Sequence, residues 1–341
     1  MPQTLTATSP AAWTARDFAG RDDWIIRLGA ARIAEIDAAL AIAEATGRPL
    51  EAIRRADFPL PSLSRTLAGI AAELKEGRGF VLIRGLPVER YGEGRAALAF
   101  WGLGTHLGTA VSQSRKGDML GHVRDLGGDI ADPLVRGYET RARLLFHTDR
   151  CDCVGLLCLQ KPKSGGASRV VSAPAVRDAI ARDRPDLLAV LHRPFCADRR
   201  GEEPPGERGW VEMPVFMEED GTFAVRYVRD YIEGAQRFAE VPRLTPEQVA
   251  ALDLFDRTAA DPALALDMAF EPGDMQFLNN YRVLHARTAF EDHAEPARRR
   301  HLLRLWLAMS NSRRLPRAFL GLYDTIAAGA VRGGVPPRPA G

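Results

Sequence analysis

The sequence predicts an α+β fold with a mainly β core. Apolar residues recur at helical spacing in the first 75 residues, whereas residues 141–172 and 275–309 contain the short apolar runs and alternating segments that are typical of strands. Of the 341 residues, 46% are hydrophobic and 26% are charged, which is typical of a globular protein with a sizeable core. The strands are expected to form the core and the helices to flank it.

The N-terminal region, residues 1–75, is expected to be a helical segment packed on the core. Apolar residues recur at helical spacing over residues 22–46 and again over residues 63–76. Residues 79–85 form a short apolar run between glycines, which predicts a buried strand. A third helix is predicted over residues 92–108, with leucines and aromatic residues on its apolar face.

Residues 109–140 have little periodicity and are polar and Gly-rich. Such a stretch is typical either of a functional lid or of a solvated connection, and the sequence favours neither. Strand-like runs follow over residues 144–146, 154–159 and 165–171, and helical spacing returns over residues 173–192.

A helical insertion at about residues 173–265 is expected to interrupt the strands. Within it, residues 199–214 are dense in Gly, Pro, Glu and Arg and are predicted to be exposed. Thr245 followed by Pro246 is a typical helix start, with the threonine as N-cap and the proline in the first turn.

The β core is predicted to span residues 76–315, followed by a C-terminal tail over residues 316–341. The Gly/Pro-rich end of that tail, residues 333–341, is expected to be disordered. The last predicted strand carries Arg300 and Arg304 on one face, because side chains two residues apart project from the same side. On an outward face these arginines would be solvated, whereas in an interior they would need buried anions.

Residues 144–149, Leu-Leu-Phe-His-Thr-Asp, contain the most informative short motif. In an extended strand the imidazole of His147 and the carboxylate of Asp149 project from the same face. A second histidine from far along the chain would complete the two-His, one-carboxylate set that leaves open positions on non-haem Fe(II). His285 is the leading candidate. Taken alone, the tripeptide is more typical of a surface pair or a polar turn.

The composition argues against several functional classes. The formal net charge is +2 and the arginines are dispersed, which does not favour nucleic acid as a partner. The start of the chain lacks a secretory pattern and no apolar run is long enough to span a membrane, so we expect a cytoplasmic protein. The four cysteines are expected to be thiols, since no second pair completes a zinc site with Cys151 and Cys153. The sequence is compatible with a homo-oligomer without indicating one.

The order and spacing of several short motifs resemble a known enzyme family. These motifs are His147-Thr-Asp149, Gly165-Gly-Ala-Ser168, the Pro-Gly-Asp turn with Asn279-Asn280, His285-Ala-Arg287 and Arg300-His-Leu-Leu-Arg304. Together, over roughly residues 75–310, they resemble the iron(II)- and 2-oxoglutarate-dependent dioxygenases of the taurine dioxygenase and clavaminate synthase type. The resemblance implies a double-stranded β-helix, a jelly roll of two antiparallel sheets with flanking helices. One catalytic unit is expected, because His147 and His285 are far apart in the chain and must meet inside one core.

For the metal, the resemblance assigns His147, Asp149 and His285 as ligands of Fe(II). It implies that 2-oxoglutarate is decarboxylated to succinate and CO2 while O2 oxidises a small-molecule substrate. Hydroxylation is favoured over halogenation, because in related halogenating enzymes a small residue replaces the carboxylate so that halide can bind iron.

For 2-oxoglutarate, the resemblance assigns Arg300 to the distal carboxylate, with the hydroxyl of Ser168 beside it. A planar guanidinium can donate two parallel hydrogen bonds to a carboxylate, which would justify burial of an arginine. Strand alternation independently favours Arg300 over Arg299, which should point away. Arg304 is expected to contact the co-substrate or an anionic substrate.

Further substrate contacts are expected from Gln113 and from Asn279 and Asn280, although the two asparagines are equally typical of a turn. The arginines suggest a carboxylate-bearing substrate. Two other classes of function stay open. A metal-dependent isomerase or zinc hydrolase could use the same metal ligands without a need for Arg300, and a non-catalytic 2-oxoglutarate sensor would need no open iron position. The remaining histidines are expected to be structural or exposed: His106, His122, His192, His293 and His301.

Overall fold

Strands outnumber helices among the residues that the structure describes. The structure, a computed structural model, describes residues 10–128, 137–204 and 206–337. The strands in these ranges are β1 (Ile25–Arg27), β2 (Phe80–Arg84), β3 (Gly108–Ala110), β4 (Leu120–Val123), β5 (Leu144–His147), β6 (Cys153–Gln160), β7 (Ser164–Gly165), β8 (Ser168–Ser172), β9 (Phe195–Asp198), β10 (Trp210–Met213), β11 (Phe216–Glu219), β12 (Thr222–Val225), β13 (Leu266–Met268), β14 (Met275–Asn279), β15 (Val283–Arg287), β16 (Phe290–Glu291) and β17 (His301–Met309). The helices are α1 (Ala30–Ala45), α2 (Leu63–Glu76), α3 (Val88–Thr105), α4 (Ala173–Asp183), α5 (Pro185–Leu191), α6 (Arg229–Gly234) and α7 (Pro246–Ala259).

Two sheets form the centre of the molecule. The larger sheet has the strand order β1-β2-β14-β6-β17-β3, with β4 also paired to β17, and the smaller sheet has the order β13-β8-β15-β5. All pairs are antiparallel except β1 with β2, which is parallel. This arrangement, with its flanking helices, is the predicted jelly roll.

Side-chain alternation divides the core into layers. On β17, Leu303 and Leu305 pack against the N-terminal helices, while Leu302 and Trp306 face the space between the sheets. The outer face of the smaller sheet is covered by α4, α5 and α7, through contacts that include Leu284. The helices and sheets therefore stack as helix, sheet, sheet, helix, and the inner faces of the two sheets are left to form a site. Within the described ranges, no helix has the length and apolarity that crossing a membrane requires.

Three predicted helices have different limits from those expected. The helix expected over residues 92–108 spans Val88–Thr105. The helix expected over residues 22–46 begins only at Ala30, because Ile25–Arg27 instead pairs with β2 at the edge of the larger sheet. The helix expected over residues 173–192 is split into α4 and α5 at Arg184. The residue before a proline is disfavoured in helical conformation, and Pro185 starts the second helix.

Two segments predicted to be irregular or exposed are more ordered than expected. Within residues 109–140, β4 pairs with β17, whereas residues 129–136 of the expected lid lie outside the described ranges. The segment 199–214, predicted to be exposed, contains β10 paired with β9, and Glu202 within it is buried. The many charged and turn residues of segment 199–214 therefore do not make the whole segment a solvated loop.

The C-terminal end packs on the sheets as far as residue 337. The backbone N–H groups of Gly334 and Val335 donate to the carbonyls of Arg150 and Ser112, at 2.6 and 2.8 Å, and the Val335 side chain is buried. The prediction of disorder is therefore wrong for residues 333–337, because one buried valine and these backbone hydrogen bonds fix the segment. Residues 338–341 lie outside the described ranges.

A buried ion pair also fixes this segment. Arg332 Nε donates to Asp152 Oδ1 at 2.9 Å, and the two side chains are 0% and 2% exposed. Asp152 also accepts hydrogen bonds from the Met309 backbone and the Tyr281 hydroxyl, both at 2.9 Å. The carboxylate thus joins the last strand, the turn before β15 and the C-terminal segment.

Replacing this carboxylate tests whether it stabilises the fold. Asp152→Asn should lower the free energy of unfolding by about 3–5 kcal/mol in urea titrations, because it leaves the buried Arg332 charge uncompensated. Asp183→Asn is the matched control, since its partner Arg182 is 72% exposed, and the urea midpoint of this variant should equal that of the unmodified protein. Equal urea midpoints for Asp152→Asn and the unmodified protein would contradict this account.

Candidate active site

A cavity of about 200 Å³ lies between the two sheets. Its wall contains all three predicted metal ligands and the predicted 2-oxoglutarate contacts: His147, Asp149, His285, Ser168, Arg300 and Arg304. Gln113 also lines it, whereas Asn279 and Asn280 do not. The structure therefore brings most of the predicted site residues together.

Strand pairing places two of the predicted metal ligands side by side. His285 on β15 is directly opposite His147 on β5, and their ring centroids are 4.2 Å apart. Asp149 follows β5 by two residues, and its Oδ2 lies 3.7 Å from His285 Nε2. One donor atom from each of the three residues lies within 4.8 Å of the others. The three side chains can therefore meet at one metal ion.

The charges of this group suit a divalent metal. The Nδ1–H of His147 can donate to the Leu145 carbonyl at 2.8 Å, which leaves Nε2 free for a metal. Burial lowers the pKa of His285 to about 3, so this imidazole is neutral at neutral pH. Burial alone would raise the pKa of Asp149, but Arg304, the imidazoles and Trp306 hold it below its usual value. The set therefore offers neutral nitrogens and an ionised carboxylate.

Two neighbouring side chains orient Asp149. Trp306 Nε1 donates to Asp149 Oδ2 at 2.9 Å, and Asn280 Oδ1 accepts from the Asp149 backbone N–H at 2.9 Å. Asn280 Nδ2 also donates to the Sγ of Cys151, a buried free thiol, at 3.1 Å. Asn280 is thus a positioning residue for the backbone of a predicted metal ligand.

Asn279 is likewise engaged with the protein. Its amide donates to the Leu74 carbonyl at 3.0 Å and its oxygen accepts from the Tyr281 backbone at 2.9 Å. The expectation that Asn279 and Asn280 contact substrate is therefore corrected, because both side chains hold the turn between β14 and β15. This agrees with the alternative that the sequence left open.

Arg304 lies beside the metal ligands and is fixed by Gln113. Arg304 Nη1 is 3.8 Å from Asp149 Oδ2, and its Nε donates to Gln113 Oε1 at 2.7 Å. The Gln113 amide nitrogen donates in turn to the Met119 and Arg304 carbonyls, at 3.0 and 2.8 Å. Both ends of the Gln113 amide are thus occupied, so this residue acts on the site through Arg304.

Arg300 is buried in the cavity wall, which Ser168 also lines. Its guanidinium lies 5.1 Å from the centre of the Phe290 ring, and its Nη1 has no hydrogen-bond partner in the described part of the chain. Burial lowers the pKa of Arg300 to about 10. The neighbouring Arg298 is exposed and Arg299 donates to the His293 carbonyl at 3.3 Å, so only Arg300 of this run enters the cavity.

Arg287 is a site residue that the sequence analysis quoted without assigning a role. It projects into the cavity two residues after His285, on the same face of β15, and its guanidinium lies 4.8 Å from the Phe290 ring centre. Its Nε and Nη1 are buried without a partner among the described residues. Burial, with a further contribution from Arg300, lowers the pKa of Arg287 to about 9. The i, i+2 spacing from His285 is the signal that could have found it.

His122 and His301, expected to be structural or exposed, meet each other at the surface. Their nitrogens are 2.9 Å apart, and Glu93 lies 3.7 Å from His122. The Arg124 guanidinium is 3.1 Å from the same His122 nitrogen, which places a fixed cation beside the cluster. We attribute the pair to the attachment of β4 to β17.

Comparison with known proteins now gives the family. The family model described as "Taurine catabolism dioxygenase TauD, TfdA family" matches residues 45–306. The chain belongs to this family. It is 32% identical over 314 residues to FR-33289 synthase from Streptomyces rubellomurinus, covering 91% of this chain and 92% of that protein. It is 31% identical over 304 residues to the taurine hydroxylase-like protein SAT17 from Stachybotrys chartarum, covering 86% and 77%.

A solved structure supports the fold. Asparagine oxygenase in complex with Fe(II), 3-hydroxyasparagine and succinate resembles this chain with a TM-score of 0.65 at 19% identity, covering 90% of this chain and 100% of that one. The predicted double-stranded β-helix is confirmed. The enzyme is thus a non-haem iron dioxygenase, with iron(II) as metal and 2-oxoglutarate and O2 as co-substrates. It couples substrate oxidation to the conversion of 2-oxoglutarate to succinate and CO2.

The hydrogen bond from Trp306 to Asp149 predicts a change in metal affinity. Trp306→Phe keeps an aromatic ring but removes the indole N–H, and Fe(II) should bind about 10- to 100-fold more weakly, as is usual when a partner of a metal ligand is lost. Anaerobic calorimetry with Fe(II) measures this. Trp101→Phe is the matched control, because its buried indole donates to the Ile53 carbonyl in the N-terminal core. A similar loss of affinity in both variants would contradict a specific role for Trp306.

Proposed function

We propose that His147, Asp149 and His285 are the iron ligands of this dioxygenase. The convergence of their donor atoms, the neutrality of His285 and the ionised state of Asp149 support this assignment. Two imidazoles and one carboxylate leave coordination positions open for a co-substrate and O2. When bound, iron(II) with 2-oxoglutarate supplies the activation of O2 and the oxidation of a substrate C–H bond.

We place the distal carboxylate of 2-oxoglutarate on Arg300, with Ser168 and Arg287 beside it. The observation that carries this proposal is a pair of buried guanidiniums, each with a nitrogen that lacks a hydrogen-bond partner among the described residues. A carboxylate would accept from both and offset their desolvation. The Ser168 hydroxyl lies 3.3 Å from Gln276 and faces the same cavity. A metal-dependent hydrolase or isomerase would have no use for this pair of cations, and a non-catalytic sensor does not accord with membership of an enzyme family.

Arg304 has a second role in this proposal. Its guanidinium faces the Asp149 carboxylate, with Nη1 3.8 Å from Oδ2. A metal bound to Asp149 would take up that negative charge. Arg304 would then be free to bind an anionic group of the co-substrate or substrate, while Gln113 keeps it in place.

We further propose that the substrate is a small organic acid and that the enzyme works in the cytoplasm. The excess of arginines in the cavity wall supports an acidic substrate. A small-molecule substrate accords with the similarity in fold to an oxygenase whose structure contains a hydroxylated amino acid. All four cysteines are free, which is usual in a reducing compartment.

The affinity for 2-oxoglutarate tests the role of Arg300. Arg300→Ala should raise the dissociation constant of 2-oxoglutarate about 100-fold or more, because a buried charge pair is broken. The measurement is an anaerobic titration of the Fe(II)-loaded enzyme, followed by calorimetry and by the visible absorption of the bound co-substrate. Arg298→Ala, at an exposed position two residues away, is the control and should leave the affinity unchanged. An unchanged affinity in Arg300→Ala would overturn the assignment of this residue.

A further inference from the structure

A second group of potential metal ligands lies outside the cavity. In the part of the chain that the structure describes, two groups of three His, Cys, Asp or Glu side chains bring one ligand atom each to within 4.8 Å of the others. One group consists of the three iron ligands proposed above. The other consists of Glu93, His122 and His301, and the proposed function gives it no chemical role.

Strand pairing places the two histidines of this group on one face of the larger sheet. His301 is the first residue of β17, and two residues later Leu303 packs beneath the N-terminal helices. His122 on β4 is directly opposite Leu303. The intervening Leu302 lines the cavity. Because side chains alternate along a strand, both imidazoles lie on the face that looks away from the cavity.

Glu93 reaches the two imidazoles from α3. The backbone of Gly92 has φ 68° and ψ 175°, so the helical path breaks directly before Glu93. Glycine adopts this left-handed conformation without a steric penalty. Glu93 Oε1 lies 3.7 Å from His122 Nδ1, and Glu93 Oε2 lies 3.8 Å from His301 Nδ1. Each carboxylate oxygen thus faces one imidazole, and three separate elements contribute to the group.

The distances within the group suit a single metal ion. His122 Nδ1 is 2.9 Å from His301 Nε2. Ligand atoms of a tetrahedral Zn²⁺ lie about 3.3 Å apart when the bonds are about 2.0–2.1 Å long. This spacing is between the histidine contact and the two carboxylate contacts, so small side-chain rotations bring the atoms to it. Glu93 and His122 are 55% and 40% exposed, which leaves them room to rotate and gives an ion access from solvent.

The protons of the group are arranged to receive a cation. Arg124 Nη2 is 3.1 Å from His122 Nδ1 and can only donate, so this His122 nitrogen is unprotonated. The proton between the two rings is therefore on His301 Nε2, which leaves a lone pair on His301 Nδ1, toward Glu93. Burial lowers the pKa of His301 to about 4, so its ring is neutral at neutral pH. Two nitrogen lone pairs and a carboxylate thus meet, with the Arg124 guanidinium against them.

We propose that Glu93, His122 and His301 form a second metal site, for a divalent ion of the class that prefers imidazole, represented by Zn²⁺. Two histidines make it unlike a Ca²⁺ or Mg²⁺ site, in which the ligands are oxygens. The ion takes the place of the Arg124 guanidinium at His122 and ties α3 to the outer faces of β4 and β17. Its role is structural, and the site uses none of the proposed iron ligands.

Calorimetry with Zn²⁺ alone tests the proposal on chelator-treated protein. The unmodified protein should bind two equivalents, because the predicted iron ligands also suit Zn²⁺. Glu93→Gln and His122→Gln should each bind only one equivalent. Glu89→Gln, at an exposed position on the same helix, is the matched control and should still bind two. The substituted side chains are exposed, and circular dichroism checks that the variants fold.

A variant of the predicted iron site isolates the second site. His285→Ala should retain one equivalent of Zn²⁺, and Zn²⁺ should raise the Tm of this variant because the ion binds only the folded protein. Adding His122→Gln to His285→Ala should abolish both effects. Co²⁺ in place of Zn²⁺ should give His285→Ala visible absorption bands of a tetrahedral site, a readout that does not depend on enzyme activity.

Arg124 provides a test that a merely structural contact between the histidines would not pass. Arg124→Gln removes a positive charge beside the ion and frees the His122 nitrogen. The affinity of the second equivalent of Zn²⁺ should therefore rise about 10-fold. Arg182→Gln, at an exposed position, is the control and should leave both equivalents unchanged.

The outcomes separate this proposal from the proposed function. Binding of one equivalent by the unmodified protein, lost in His285→Ala, would overturn the second site and leave the iron ligands standing. Two equivalents that survive in both Glu93→Gln and His122→Gln would also overturn it, as would unchanged or weaker binding in Arg124→Gln. Retention of both equivalents in His285→Ala, with one lost in His122→Gln, would support the second site and refute the proposed role of His285.

Discussion

The desolvation of arginine is the constraint on which the cavity depends. Arg300 and Arg150 are each less than a tenth exposed, and each keeps a buried nitrogen without a partner in the described chain. Removing a guanidinium from water costs several kcal/mol unless an anion compensates it. The fold tolerates these charges because the surrounding layers are extensive, and anionic ligands would recover part of the cost. We therefore expect 2-oxoglutarate to stabilise the folded enzyme as well as to react in it.

The alternation of side chains on paired strands gives these charges their positions. On β17, one face sends Leu303 and Leu305 into the core beneath the N-terminal helices, and the other sends Arg304 and Trp306 into the cavity. The pairing of β15 with β5 places His285 opposite His147, and the register shifts between His285 and Arg287. The burial of an apolar face and the convergence of metal ligands are thus consequences of the same pairing.

Local periodicity made part of this site predictable. The spacing of His147 and Asp149, and the alternation that put Arg300 and Arg304 on one face, required only strand geometry, and the structure places all four side chains at the cavity. The contact between Gln113 and Arg304 could not be found in this way, because the two residues are 191 positions apart and meet only in the folded structure. The prediction that Asn279 and Asn280 contact substrate was wrong for a related reason. Their polarity suggested substrate contacts, but both side chains form hydrogen bonds within the protein. Both errors involve contacts between residues that are distant in sequence, and the periodicity of a single sequence does not indicate such contacts.

The most direct test of the account is a crystal structure of the enzyme with Fe(II) and 2-oxoglutarate, grown without O2. The account predicts iron on His147, Asp149 and His285 and the distal carboxylate on Arg300 and Arg287. A distal carboxylate bound away from Arg300 would contradict the assignment of the co-substrate site. Iron bound by any other set of residues would contradict the central claim itself.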